Sequence, residues 1–316
     1  MGEQNIMANH NKFSNPLTTA KGDARARVAL KNLRTLWFNT GTLCNIECVN
    51  CYINSSPKND ALVYITANEV SDFLTQLTTL NEPVQEIAFT GGEPFMNPEM
   101  IEIARRSLAA GYQVLILTNA MRPMMRKHMQ QGIKELHATY PKKLTLRVSL
   151  DHFTEVQHDT ERGKGAFKKT LVGMNWLRDT GIRMAVAGRT FAGDTDTASR
   201  AGYQLLFARN NYNIDALSSV ETVLFPELDE KIEVPEITTA CWDILNKNPD
   251  DLMCASSRMV VKRKGADKPA VLACTLLPYA TEFELGNTLK EAASDVALNH
   301  PHCAKFCVLG GASCST

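Results

Sequence analysis

Five short apolar runs recur along the first two thirds of the chain: TLWFN (35–39), EIAFT (86–90), VLILT (114–118), LTLRVSL (144–150) and RMAVAG (183–188). Between them lie stretches long enough for helices of ten or more residues. Strands that alternate with such helices must run parallel, because only a crossover returns the chain to the same edge. VLILT is apolar at nearly every position, as a strand covered on both faces must be. The pattern predicts an α/β fold around a parallel sheet, open or closed into a barrel.

The helical stretches carry their own signals. Thr66 and Glu69 have capping-box spacing, and Val70, Phe73, Leu74 and Leu77 repeat at helical period, which predicts a helix over 67–80. Asn97 and Pro98 read as the cap and first residue of the next helix, and Gly111 as its stop. Phe167, Leu171, Met174 and Leu177 mark a further amphipathic helix, ending near Gly181. Residues 1–33 are polar and without period, which predicts an irregular N-terminal arm. The alternation fades near 225, where FPELDEKIEVPE places Pro226 and Pro235 among acids. We therefore divide the chain into an arm (1–33), a core (34–225) and a C-terminal module (226–316).

With 44% hydrophobic residues the chain can bury a large core, and 34 basic residues against 34 acidic ones leave no overall field to steer it to nucleic acid or an anionic membrane. No apolar run approaches the roughly 20 residues of a membrane-spanning helix, and the start lacks a secretory core. The cytoplasm is the expected compartment. Nine cysteines in such a chain read as metal ligands or reactive thiols more readily than as disulfides. Three lie at 44, 48 and 51, and the other six from 241 onward.

TLCNIECVNCY sets Cys44, Cys48 and Cys51 in a C-x3-C-x2-C loop directly after the first strand. Three thiolates so close together can hold three irons of a cubane and leave the fourth open. A zinc site or three buried thiols is the other reading of the loop alone. FTGGEP (89–94) then follows the second strand. Gly91 and Gly92 permit close backbone approach there, and Glu93 supplies an acceptor for an ammonium group. Both segments end strands at the edge where α/β proteins build their sites.

Together these motifs resemble the radical S-adenosylmethionine (SAM) superfamily, whose cluster loop follows the first strand and whose GGEP-type motif contacts the SAM amino group. The resemblance implies a partial (β/α)6 TIM-type barrel, a [4Fe-4S] cluster on Cys44, Cys48 and Cys51, and SAM contacts from Gly91, Gly92, Glu93 and Pro94. One departure stands out: Asn50 occupies a position usually aromatic, and Tyr52 follows the third cysteine. VSLDHFTEVQHDTERGKGAF (148–167) resembles the fourth-strand region of peptide-modifying members. This implies SAM or substrate contacts for Ser149, Asp151 and Arg162. Read without the resemblance, Asp151 caps a helix, Arg162 forms a surface ion pair, and Asn119 of LTNA caps a turn. His152 and His158 follow the same strand and receive no role.

Cys254, Gly265, Cys274 and ELGN (284–287) resemble the opening of a SPASM or Twitch extension, which holds auxiliary iron-sulfur clusters. Five cysteines suit one cluster, with Cys254, Cys274, Cys303 and Cys307 as expected ligands and Cys314 as the spare. A zinc site with His300 or His302, or plain buried thiols, remains open. Cys241 sits at helical spacing with Ile237 and Leu245 and reads as a core thiol. The resemblance further implies a flavodoxin- or ferredoxin-type electron donor and a peptide or protein substrate. A small molecule is the alternative substrate, and an iron-sulfur electron carrier or redox sensor the alternative of another class.

Overall fold

The computed structural model describes residues 12–191, 193–226 and 233–310; Cys314 and His10 lie outside them. Short β1 (Arg27–Val28) precedes β2 (Thr35–Asn39), β3 (Glu86–Thr90), β4 (Gln113–Thr118), β5 (Leu144–Ser149), β6 (Arg183–Thr190) and β7 (Thr222–Pro226). Between the strands from β2 onward lie helices α1 (Ala67–Leu80), α2 (Met100–Ala109), α3 (Lys127–Thr139), α4 (Glu155–Arg162), α5 (Ala166–Asp179) and α6 (Asp196–Asn210). Strands β2 to β7 pair in sequence order and all run parallel, the arrangement of a partial (β/α)6 barrel.

Strand parity builds two cores. Leu36, Phe38, Ile87, Phe89, Val114 and Ile116 face the helices, where Phe38 stacks on Phe89 and meets the edge of Phe73 of α1. The alternate positions Trp37, Ala88 and Leu115 face the other way into a smaller cluster. The capping box at Thr66 forms as predicted, with both reciprocal bonds. Gly111, at φ +101°, closes α2. The start of α2 is later than predicted. Pro94–Met96 forms a 3-10 turn first, and Asn97 donates to Ile65 O and accepts from Glu99 N, so the helix begins at Met100.

The sheet also runs past the expected boundary at 226. From the C-terminal module, β8 (Ser257–Val261) pairs parallel to β2 on its free side, and β9 (Ala270–Leu272) pairs antiparallel to β8. Arg258 of β8 is buried and donates to Cys254 O, Ala292 O and Ser294 O. The described part of the N-terminal arm, from residue 12, is docked on the C-terminal module. β1 pairs with β10 (Val296–Ala297), Ala26 and Val28 enter the C-terminal core, and Arg25 is ion-paired to Glu236 below the surface. Among the described residues no helix is long and apolar enough to cross a membrane.

Candidate active site

The loop after β2 and the loop after β3 are joined through their backbones. Gly92 N donates to Gly41 O at 2.8 Å, and Glu93 N to Leu43 O at 3.1 Å. The two glycines make this approach possible: a Cβ on Gly91 would lie 2.6 Å from Gly41 O, and one on Gly92 would collide with the Leu43 carbonyl. Gly91 also holds φ +139°, where side chains are rarely tolerated. What sequence reasoning assigned to close approach of a ligand is thus at least as much the seating of one loop on the other.

Glu93 is tied into the protein by its own hydrogen bonds. Its carboxylate is buried and accepts from Thr118 Oγ1 (2.8 Å), Asn119 N (2.8 Å) and Phe95 N (3.2 Å). Burial pushes its carboxyl up to about 7 against those bonds. The side chain therefore ties β3 to the end of β4, and Pro94 starts the 3-10 turn beside it. Asn119 does more than cap a turn. While its Oδ1 accepts from Met121 N, its Nδ2 donates to Asn45 Oδ1 at 2.9 Å and lies 3.9 Å from Cys44 Sγ.

Cys44, Cys48 and Cys51 line a single cleft together with Gly91, Gly92, Asn119, Ser149 and Arg162, enclosing about 620 Å³ of empty space. None of the described cysteines is in a disulfide. Burial pushes the Cys44 thiol up to about 12, and raises Cys48 with Arg162 partly opposing it. Among the described residues no three such groups are gathered for a single metal ion; three thiols lining one cleft are of the donor type that a cluster takes, and a cluster would hold them as thiolates.

Buried Asp151 and partly buried Arg162 form a bidentate pair, Nε to Oδ2 at 2.7 Å and Nη2 to Oδ1 at 2.9 Å. Neither plain reading survives: Thr154, not Asp151, sits at the start of α4, and Arg162 is not at the surface. Sequence reasoning missed Arg189, Glu161, Thr90 and the contact role of Tyr52. Arg189 reaches Asp151 at 3.4 Å, Glu161 at 3.7 Å and Asn50 O at 2.9 Å. Tyr52, Thr90, Leu117, Ser149, Arg162 and Arg189 line both the cysteine cleft and a second cavity that adjoins it. His152 and His158 are buried behind this region and line neither.

Cys254, Cys274, Cys303 and Cys307 also share one small apolar cavity, walled by Leu252, Leu277, Phe283 and Leu298. Burial pushes the Cys254 thiol up to about 11. His300 and His302 pack ring to ring at 4.6 Å and do not line that cavity. Cys241 lies elsewhere, half-buried at the start of α7 (Cys241–Leu245) against the C-terminal core, as expected of a core thiol.

Comparison with known proteins agrees with this geometry. The chain is 33% identical over 149 residues to the antilisterial bacteriocin subtilosin biosynthesis protein AlbA of Bacillus subtilis, covering 47% of this chain and 31% of that protein. It is 31% identical over 136 residues to an AdoMet-dependent heme synthase of Methanosarcina barkeri, covering 43% and 36%. The matched part thus spans about a third of these curated relatives. The fold is shared with Streptococcus suis SuiB, solved bound to precursor peptide SuiA, at a TM-score of 0.60 and 12% identity over 84% of this chain and 66% of that one. A family model, that of the Radical SAM superfamily, matches residues 38–200, which include the cysteine loop, GGEP, Asp151 and Arg162. With more than half its length inside that match, the chain belongs to the Radical SAM superfamily, enzymes that use a [4Fe-4S] cluster and SAM.

Proposed function

We propose that this enzyme cleaves SAM reductively at a cluster held by Cys44, Cys48 and Cys51, and turns the resulting 5′-deoxyadenosyl radical on a C–H bond of a peptide or protein. The observation that carries the reading is the single cleft that brings these three thiols together with the GGEP loop, Ser149 and Arg162. A cluster held by these three thiols would supply the electron for cleavage and a binding site for the amino acid end of SAM. The chain's own residues do the rest. The backbone at Gly91 and Gly92 borders the cleft where the SAM ammonium would lie, and Glu93 fixes that loop to β4. Ser149 offers a hydroxyl to the ribose or carboxylate, and Arg162, oriented by Asp151, offers a guanidinium. The adjoining cavity is where the reacting group would be held.

Peptide substrates are favoured because AlbA is named for bacteriocin biosynthesis and SuiB is solved with its precursor peptide. A small molecule is the second reading, on the strength of the heme synthase relative. In the C-terminal module, Cys254, Cys274, Cys303 and Cys307 would hold an auxiliary cluster that binds substrate or takes back an electron. A flavodoxin- or ferredoxin-type donor in the cytoplasm would reduce the first cluster.

The test is to reconstitute the protein anaerobically, reduce it with dithionite in the presence of SAM, and measure 5′-deoxyadenosine. Wild type should form it, and Cys44→Ala/Cys48→Ala/Cys51→Ala should not. Absence of 5′-deoxyadenosine from wild type with an intact cluster would defeat the proposal.

A further inference from the structure

The turn that follows Cys51 is held from the far end of the chain. Tyr279 Oη donates to Ile53 O at 2.7 Å, across 226 residues of sequence, and accepts from Asn59 Nδ2 at 3.1 Å. Asn59 Nδ2 also donates to Asn54 O at 2.9 Å, so phenol and amide together grip two successive carbonyls of the turn. Asn54 N closes the turn on Cys51 O at 2.9 Å, with Asn54 itself at φ +48°. A residue other than glycine persists in that left-handed region where its surroundings over-determine it.

What this turn delivers is a hydrogen bond to sulfur. Ser55 N donates to Cys51 Sγ at 3.3 Å, and Ser56 O accepts from Cys44 N at 3.0 Å, so the returning chain touches two of the three cysteines. Cys51 is also felt at the phenol. Burial raises Tyr279 above its ordinary value, and the charge of Cys51 adds in the same direction. An N–H aimed at a ligating sulfur stabilises the more negative, reduced form of an iron-sulfur cluster, and so raises its reduction potential.

Tyr279 reaches the turn from a segment with two other duties. It begins at Cys274, which with Leu277 lines the C-terminal cysteine cavity, while Thr275 and Leu276 between them line the barrel cavity. The cysteine loop of the barrel is thus completed by a side chain of the C-terminal module.

We propose that Tyr279 is a positioning residue for the cluster of Cys44, Cys48 and Cys51: its phenol holds the 51–55 turn so that the Ser55 amide points at Cys51 Sγ, and thereby sets the potential of that cluster. The inference rests on the reading of these three cysteines as cluster ligands, and deepens it by naming a residue outside the barrel on which the redox behaviour of the site depends.

The test is an anaerobic redox titration of the reconstituted full chain, followed by electron paramagnetic resonance of the cluster signal that SAM perturbs. Tyr279→Phe deletes the donor and keeps the ring that packs against the Trp37 cluster. At a potential where wild type is half reduced, its ratio of reduced to oxidised cluster should fall about tenfold, a downward shift of about 59 mV for one electron. Tyr212→Phe loses a comparable bond elsewhere, to Asn175 Oδ1 at 2.9 Å, and should leave the ratio unchanged. Amide exchange over 52–56, read by mass spectrometry on the same samples, should quicken about fivefold in Tyr279→Phe alone. That measurement reads the turn without the cluster signal. Wild-type potential in Tyr279→Phe, wild-type exchange in that variant, or an equal shift in Tyr212→Phe would each overturn the proposal. A wild type with no SAM-sensitive signal would instead overturn the cluster reading, and this inference with it.

Discussion

Asn50 Nδ2 lies 3.2 and 3.1 Å from the two carboxylate oxygens of Glu161, joining the cysteine loop to α4 across 111 residues of sequence. Val49 N adds a backbone bond to Glu161 O at 2.9 Å. Asn50 stands where an aromatic residue is usual, and this contact explains why an amide serves there. Glu161 is 5% exposed, so removing its amide donor leaves a buried carboxylate short of partners. Asn50→Ala should cost about 1–3 kcal/mol in urea unfolding. Removing Glu161 as well should cost less than the two single changes added together. Asn50→Phe should not restore the loss. A single variant as stable as wild type would show that the contact contributes nothing.

The Asp151–Arg162 pair gives the fold a defined response to acid. Burial alone would raise the Asp151 carboxyl, and the Arg162 and Arg189 guanidiniums outweigh it, holding it below the usual carboxylate range. A carboxyl depressed on folding adds stability above its unfolded value near ~4 and loses that stability as pH falls through the folded value. Urea midpoints from this group should therefore be level above about pH 5 and decline below about pH 4. Asp151→Asn should be less stable by about 3–5 kcal/mol at neutral pH, since two partly buried guanidiniums lose their shared anion. It should also show a shallower decline in acid. A variant whose acid decline matches wild type would remove Asp151 as its source.

What could be read from the sequence was what is local. Strand runs, the Thr66 capping box and Gly111 are written in neighbouring residues, and each element appears where its pattern lies. β8 escaped notice because nothing in SRMVV says that it will pair with β2, some 220 positions earlier. Arg189 was missed because the strand was read only to Gly188, although it lies one residue before the end of β6 and the rule that marked Ser149 at the end of β5 would have pointed to it. Glu93 was found but its partners within the protein were not, because the Thr118 and Asn119 donors come from another strand. Ala120 shows a similar limit. It stands at φ +56°, and no periodic pattern reveals a left-handed alanine.

Gly92 should be intolerant of even one added carbon. Its absent Cβ would collide with backbone, the Leu43 carbonyl, which cannot swing aside as a side chain can. Gly92→Ala must push the GGEP loop away from the cysteine loop and break the Gly92 N to Gly41 O bond. We expect a stability loss of about 1–3 kcal/mol together with lower iron retention after desalting. Gly111→Ala has open space around its Cβ and carries only the strain of its positive φ, so it should lose stability but not iron. Equal iron retention by Gly92→Ala and wild type would show that the loop contact does not support the cluster.

The four cysteines of the C-terminal cavity make a prediction independent of SAM cleavage. They reach it from three segments: Cys254 before β8, Cys274 after β9, and Cys303 with Cys307 one turn apart near the end of the described chain. Apolar side chains form the remaining walls, so four ligands could enclose a cluster away from water. If they hold a [4Fe-4S] cluster, wild type should carry about eight irons per chain, against about four in Cys254→Ala/Cys274→Ala/Cys303→Ala/Cys307→Ala and about four in the variant lacking Cys44, Cys48 and Cys51. Iron and acid-labile sulfide counts on anaerobic protein decide the matter. About one zinc per chain, lost in the quadruple variant, would identify a zinc site, and iron equal to wild type in that variant would remove these cysteines as ligands.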